Sequence, residues 1–233
     1  MASVPASEIF LTTDAWRSAF PGAHAGVLAM SGVRNPERST ALEDLKVKLE
    51  MDLRQRFEGM SRTALRAHPI LAAYERYYRR FDKTYHVQLQ LESIVLKGKA
   101  IPSSAALVES MFMAEVNSLL LTAGHDLDVV QLPLTLDVAR GTEMYTLLRG
   151  SPQMPKAGDM MISDGEGIIS SIVYGPDQRT QIRPQTTRSV FTVYAPDGIE
   201  PDAVEAHLNE IRRHVQLIAP EASIELLKVY AAE

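Results

Sequence analysis

The segment Gly124-His125-Asp126-Leu127-Asp128 sets one imidazole among two carboxylates. Histidine is the side chain that exchanges a proton near neutral pH, and a carboxylate on its second nitrogen would orient and tune it. His125 is therefore a candidate general base or substrate ligand, with Asp128 as the group that orients it. The opposing reading is a loop in which Asp126 or Asp128 caps backbone N–H groups and the imidazole faces water. Asn117 stands in an apolar stretch. A buried amide needs partners, so it either fixes the core or faces a pocket. Ser170-Ser171 and Tyr174-Gly175-Pro176 flank a strand end. Small residues there permit close backbone approach to a ligand, and a plain turn explains them equally well. No histidine is near the two serines in sequence, so neither has an evident activating base.

A second constellation is cationic. Arg76, Arg79, Arg80 and Lys83 alternate with Tyr74, Tyr77, Tyr78 and Tyr85. Interleaved Arg and Tyr can grip phosphates and stack bases. The same pattern also describes a helix whose tyrosines pack while its arginines stay wet. Charge is uneven along the chain. Residues 34–99 carry 14 Lys/Arg against 9 Asp/Glu, whereas residues 100–233 carry 9 against 18. Any contact with a polyanion should therefore be local and salt-sensitive.

Several chemistries lack their signatures. There is no Gly-x-Gly-x-x-Gly, Walker loop, Gly-x-Ser-x-Gly elbow or His-Glu-x-x-His, so no cofactor is expected. The chain has no cysteine, which excludes disulfides, thiolate metal ligands and a cysteine nucleophile. His207 and His214 lie two turns apart on one predicted helix. They are expected on a solvated face, since a tight metal site needs three or more converging ligands.

The elements that must position these groups follow from patterning. Glu8–Leu11 reads as a short strand. Thr13-Asp14 caps a helix through Ala19, and 25–30 is an apolar strand. Helices are predicted from about Ser39 to Phe57, near Ser61, and from Pro69 to about Arg80. Further helices are predicted over Leu89–Lys97 and from Pro102 to about Thr122, the last ended by Gly124. Strands are then predicted over 129–138, 143–148, 159–162, 167–173 and 189–194. An amphipathic helix over 202–218 and a strand over 224–230 close the chain. Met111 and Met113 read as core filling.

Helices dominate the first half and strands the later middle, which favours an α+β class over a doubly wound sheet. With 233 residues, 45% hydrophobic and 23% charged, the chain can form one sizeable core. It has no apolar run of membrane-spanning length, and Met1–Glu8 does not have the layout of a secretory leader. The expectation is a cytoplasmic protein with no membrane contact.

Residues from about 88 to 195 resemble the B3/B4 domain of the phenylalanyl-tRNA synthetase β-subunit. Glu92 and the Gly98 stop precede Pro102 and a helix carrying Asn117. His125-Asp126-Leu127-Asp128 resembles the family's His-x-aromatic-Asp step. Ala139–Gly150, Met160–Asp164 and Ile168–Gly175 follow in the family's order, and Thr187 with Val190 resembles its Thr-x-x-Val. The resemblance implies a single B3/B4-like domain over 1–233, with an N-terminal α/β extension through 87 and a C-terminal helix and strand over 200–230. Its helices would pack on a mixed or antiparallel sheet.

In function, the resemblance implies a free-standing tRNA-binding protein that hydrolyses mischarged aminoacyl-tRNA, or a non-catalytic module for an amino acid or related small molecule. The resemblance places His125 in the family's pocket. On this reading His125 and Asp128 are the catalysts and Asn117, Ser170, Ser171, Gly175 and Thr187 hold the ligand, while the cationic segment Arg76, Arg79, Arg80 and Lys83, outside the resembling stretch, would contact RNA. Two departures stand out. Val193 lies where the family has an acidic residue, and Ser170-Ser171 replaces paired glycines. If the assignment holds, His125, Asn117 and Ser170 line one cavity.

Overall fold

Leu119 decides where the chain turns from helix to strand. The computed structural model describes residues 9–232, and in it the helix predicted to reach Thr122 stops at Ser118. Leu119 takes a left-handed conformation at φ 66° and buries its side chain. The Glu115 side chain then accepts the N–H of Thr122 through Oε1 at 2.7 Å, capping the turn. Gly124, expected as the helix stop, sits inside the following strand. Its missing Cβ admits Ile182, Met111 and Phe191, whose atoms would lie 3.0–3.4 Å from one.

Seven helices and eleven strands follow in order among the described residues. They are β1 (Phe10–Thr12), α1 (Asp14–Ala19), β2 (His24–Ser31), α2 (Thr40–Arg56), α3 (Arg62–Arg66), α4 (Pro69–Arg79), α5 (His86–Val95) and α6 (Ala106–Ser118). Then come β3 (Leu121–Asp126), β4 (Leu134–Val138), β5 (Tyr145–Thr146), β6 (Pro152–Gln153), β7 (Met160–Asp164), β8 (Gly167–Ser171), β9 (Gly175–Pro176), β10 (Arg188–Ala195), α7 (Pro201–Ile218) and β11 (Ser223–Ala231). The strand predicted over 129–138 shortens to β4 and that over 143–148 to β5. The strand predicted from Glu8 begins at Phe10, and the leader reading of Met1–Glu8 lies outside the described residues.

The class is α+β. One sheet has the order β11-β2-β10-β3 and is antiparallel throughout. The other has the order β1-β4-β7-β8-β9, with only the β1–β4 pair parallel. Thus β1 and β2 join different sheets. The interiors of β2 and β10 are buried at successive positions, as strands covered on both faces must be. Helix α7 lies on one face, where Gly26 makes room: a Cβ there would stand 2.5 Å from Val204 and 3.1 Å from Leu208.

Helix α4 ties the two sheets together. Its apolar face carries Leu71, Tyr74, Tyr77 and Tyr78, all buried. The Tyr74 hydroxyl donates to the Tyr194 carbonyl of β10 and accepts the Leu121 N–H of β3 at 2.9 Å. The Tyr78 hydroxyl donates to the Ile172 carbonyl beside β8. Tyr85 stacks on Tyr74 at 4.1 Å.

His207 and His214 are not on a solvated face. They are 1% and 6% exposed, in the seam between α6 and α7. His207 spans Ser118 at 2.7 Å and Thr122 at 2.6 Å, and His214 lies 3.0 Å from the Ser110 carbonyl. The seam wins because each ring finds hydrogen-bond partners there that meet the needs of a buried polar group. No group of three or more metal-capable side chains occurs among the described residues, and no helix there is long and apolar enough to cross a membrane.

Candidate functional site

His125 sits on β3, opposite Val190 of β10, and is 0% exposed. Its Nδ1 lies 2.7 Å from the Thr180 hydroxyl, which in turn hydrogen-bonds Asp177 Oδ1. A hydroxyl that donates to Asp177 can only accept from histidine, so Nδ1 carries the proton of the neutral ring. Nε2 has no partner. Burial pushes the imidazole down to about 3, so it is neutral at physiological pH and a weak base. Asp128 does not orient it. That carboxylate is exposed and accepts the Thr187 N–H at 3.0 Å, the Arg188 N–H at 3.1 Å and the Thr187 hydroxyl at 2.8 Å. Asp128 and Thr187 together staple the start of β10, because three donors converge on one solvated oxygen there. The residues that do orient His125 are Thr180 and Asp177, more than fifty positions away, where the local sequence carries no sign of them.

Ser170, Ser171 and Gly175 do come together, on β8 and β9. The Ser170 hydroxyl lies 2.6 Å from the Tyr194 hydroxyl. Ser171 Oγ accepts the Tyr174 N–H at 3.1 Å and lies 3.5 Å from the Tyr145 hydroxyl, which donates to the Gly175 carbonyl at 2.9 Å. Gly175 has φ +86° with nothing within 4 Å of a would-be Cβ, so it is there for the turn. Close by, Asp159 accepts the Tyr77 hydroxyl at 2.8 Å, and burial lifts its carboxyl to about 7.

Asn117 belongs to neither group. It closes α6 at the surface, accepting from Arg56 at 2.7 Å and donating to Glu210 at 2.7 Å. His125, Asn117 and Ser170 therefore do not share a cavity.

A cleft of about 470 Å³ opens where β5, β8 and the chain after β9 meet, and none of the three residues lines it. Its walls include Met144, Tyr145, Gly167, Ile168, Asp177, Gln178, Arg179 and Arg183. Tyr145 and Asp177 are its link to the buried polar chains. The first reaches Ser171 and Gly175, the second reaches Thr180 and His125. Arg179 makes a bidentate pair with Asp164, at 2.9 and 2.7 Å, and approaches Glu166 at 3.4 Å and Asp177 at 3.8 Å. Burial would raise the Asp164 carboxyl, but the hydrogen bonds from Arg179 and the backbone outweigh it and hold the group below its ordinary range. Burial lifts Asp177 above its ordinary value. Exposed Arg183 makes no ion pair among the described residues. The cleft thus holds two guanidiniums, carboxylates on Glu166 and Asp177, and an apolar wall of Met144 and Ile168.

The Tyr-Arg segment takes the packed form. Tyr74, Tyr77, Tyr78 and Tyr85 are buried and cannot stack bases. Arg76 donates to the Asp197 carbonyl at 3.1 Å, and Arg80 lies over Phe20, Tyr77 and Phe81 at 5.3–5.5 Å. Arg79 pairs with Glu75 at 2.8 Å, and Lys83 stands over Tyr174 at 5.7 Å.

No protein-family model matches the chain, and no curated protein is significantly similar to it. Among solved structures, it is similar to an N-terminal fragment of the phenylalanyl-tRNA synthetase β-subunit from Pyrococcus horikoshii. The identity is 11% and the TM-score 0.49 over 95% of this chain and 49% of that one. The chain spans about half the length of that fragment, and no residue's role is taken from it.

Proposed function

We propose that this protein is a non-catalytic binding module for a small zwitterionic ligand of the amino-acid class. The observation that carries the reading is the make-up of the cleft. Both signs of charge stand in one mouth beside an apolar wall. Arg183 has no ion-pair partner among the described residues and suits a carboxylate. Glu166 and Asp177 suit an ammonium, and Met144 with Ile168 suits a side chain. Few polar groups fixed against an apolar lining are what orients a small ligand. The buried relays behind Tyr145 and Asp177 hold those two walls in place, which lowers the ordering needed on binding.

Hydrolysis of an aminoacyl ester is disfavoured. His125 is sealed from solvent and Asp128 is committed to β10, so the base and its orienting group do not meet. Base stacking by the tyrosines of α4 is disfavoured as well, since Tyr74, Tyr77 and Tyr78 are buried.

The test is calorimetry against a panel of free amino acids, with wild type and Arg183→Gln. Saturable binding at about 10 μM to 1 mM is expected for at least one side-chain class, weakened about tenfold by the substitution. Alongside it, deacylation of mischarged tRNA is measured with wild type and His125→Ala. Ester cleavage that His125→Ala abolishes would overturn the non-catalytic reading.

A further inference from the structure

We infer that a second site, on the helical layer, binds a single phosphate group of a small phosphorylated molecule. The site is a pocket of about 230 Å³ bordered by α3, α4 and the chain entering α5. Arg62, Arg66, Arg79 and Lys83 all line it. It is independent of the cleft on the sheet side.

Two carboxylates hold these cations in place without using them up. Glu75 is paired with both Arg66 and Arg79. Its side chain is 24% exposed, and hydrogen bonds led by the one from Arg66 hold its carboxyl below the ordinary range. Glu92 takes Arg62 through Nε at 2.9 Å. A guanidinium has five N–H donors in a fixed fork, and these pairs engage only some of them. Arg62 keeps both terminal nitrogens, and Arg79 keeps Nε and one terminal nitrogen. Lys83 has no carboxylate partner closer than 4.0 Å among the described residues.

Four cations against two carboxylates leave two positive charges uncompensated, which matches a phosphate monoester dianion. The first turn of α5 borders the pocket and carries no acidic residue, which adds to the attraction without making the site. The pocket is a single dent between short helices. Arg76 and Arg80, which would extend it into a track for a polymer backbone, point to other contacts. A lone phosphate group therefore fits better than a nucleic-acid strand.

The experiment uses the full chain and a calorimetric titration with inorganic phosphate, adenosine 5′-monophosphate and adenosine, at low and at 0.3 M salt. Arg62 and Lys83 are exposed, so Arg62→Gln and Lys83→Gln should fold as wild type does, and a melting curve checks it. Both phosphates are expected to bind and adenosine not to, with each substitution weakening binding about five- to tenfold. Arg80→Gln, outside the pocket, should leave binding unchanged. Absence of saturable phosphate binding would overturn the site. So would equal weakening by Arg80→Gln, indifference to both pocket variants, or tight binding only to an unphosphorylated RNA oligonucleotide.

Discussion

Arg179→Met tests how the cleft is held open. The Asp164 side chain is 0% exposed and its partner Arg179 is 32% exposed. Asp164 also accepts backbone N–H groups from Gln131 at 2.9 Å, Glu166 at 2.9 Å and Gly167 at 3.2 Å. Breaking a fully buried pair leaves a stranded charge and costs about 3–5 kcal/mol. Here the three N–H donors remain, and about a third of the Arg179 side chain is already exposed, so the loss should be about 2 kcal/mol. For a chain of this length that is a fall of roughly 4–8 °C in Tm. Asp164→Asn places an amide N–H against a donor whichever oxygen it replaces, so it should lose about 2–3 kcal/mol. The double variant should lose less than the two singles together by about 1–2 kcal/mol, the signature of direct coupling. Urea unfolding of the four proteins at pH 7 measures this.

The pH dependence has a definite sign. The folded Asp164 carboxyl titrates below its unfolded value, so its contribution is whole above that value and lost as pH falls through the folded one. In Arg179→Met the folded value rises toward the unfolded one, so less stability should be lost on acidification than in wild type. Losses within about 0.5 kcal/mol and no coupling would refute the account of this wall.

Three further outcomes are expected. Tyr74→Phe strands the buried Leu121 N–H and Tyr194 carbonyl and should lose about 2–4 kcal/mol in urea unfolding, whereas a loss under 1 kcal/mol would show that α4 does not clamp the sheets through that hydroxyl. Burial lifts Glu115 from 4.5 to about 8, so its neutral form suits the fold. Its contribution is whole below 4.5 and falls as pH rises toward 8, so Glu115→Gln should gain on wild type by about 1.4 kcal/mol per pH unit between 5 and 8, and a constant difference would contradict this. His125 behaves oppositely. Its folded value lies far below 6.5, so its contribution is whole above 6.5 and lost as pH falls toward 3. Compared with His125→Gln, wild type should lose about 2 kcal/mol more on going from pH 7 to 5, and parallel acid profiles would argue against a neutral buried imidazole.

Much of the helical frame was legible because amphipathic spacing speaks for itself. The stripe on α7 and the tyrosine face of α4 fall where their periods place them. Helix α6 shows the limit of that reading. Its apolar character continues past Ser118, so periodicity carries the helix on, while the actual stop depends on Glu115 meeting Thr122. The same limit applies to the site. Asp126 and Asp128 look like partners of His125 because they are neighbours in sequence. On a strand, however, Asp126 sits next in line and points to the opposite face. The true neighbours, Thr180 and Asp177, arrive from the loop after β9. Ser170, Ser171 and Gly175 could be singled out because small residues at a strand end are a local signal. Tyr145 and Arg179, which line the cleft, are ordinary residues whose importance comes only from where the fold puts them.

Amide chemical-shift mapping tests the central claim most directly. The isotope-labelled protein would be titrated with the amino acid that binds best in calorimetry. A ligand in the cleft should move the amides of Tyr145, Gly167, Gln178 and Arg179 along one saturable curve, and Arg183→Gln should weaken that curve about tenfold. Shifts confined to other surfaces, or no shifts at ligand concentrations that saturate calorimetric binding, would contradict it.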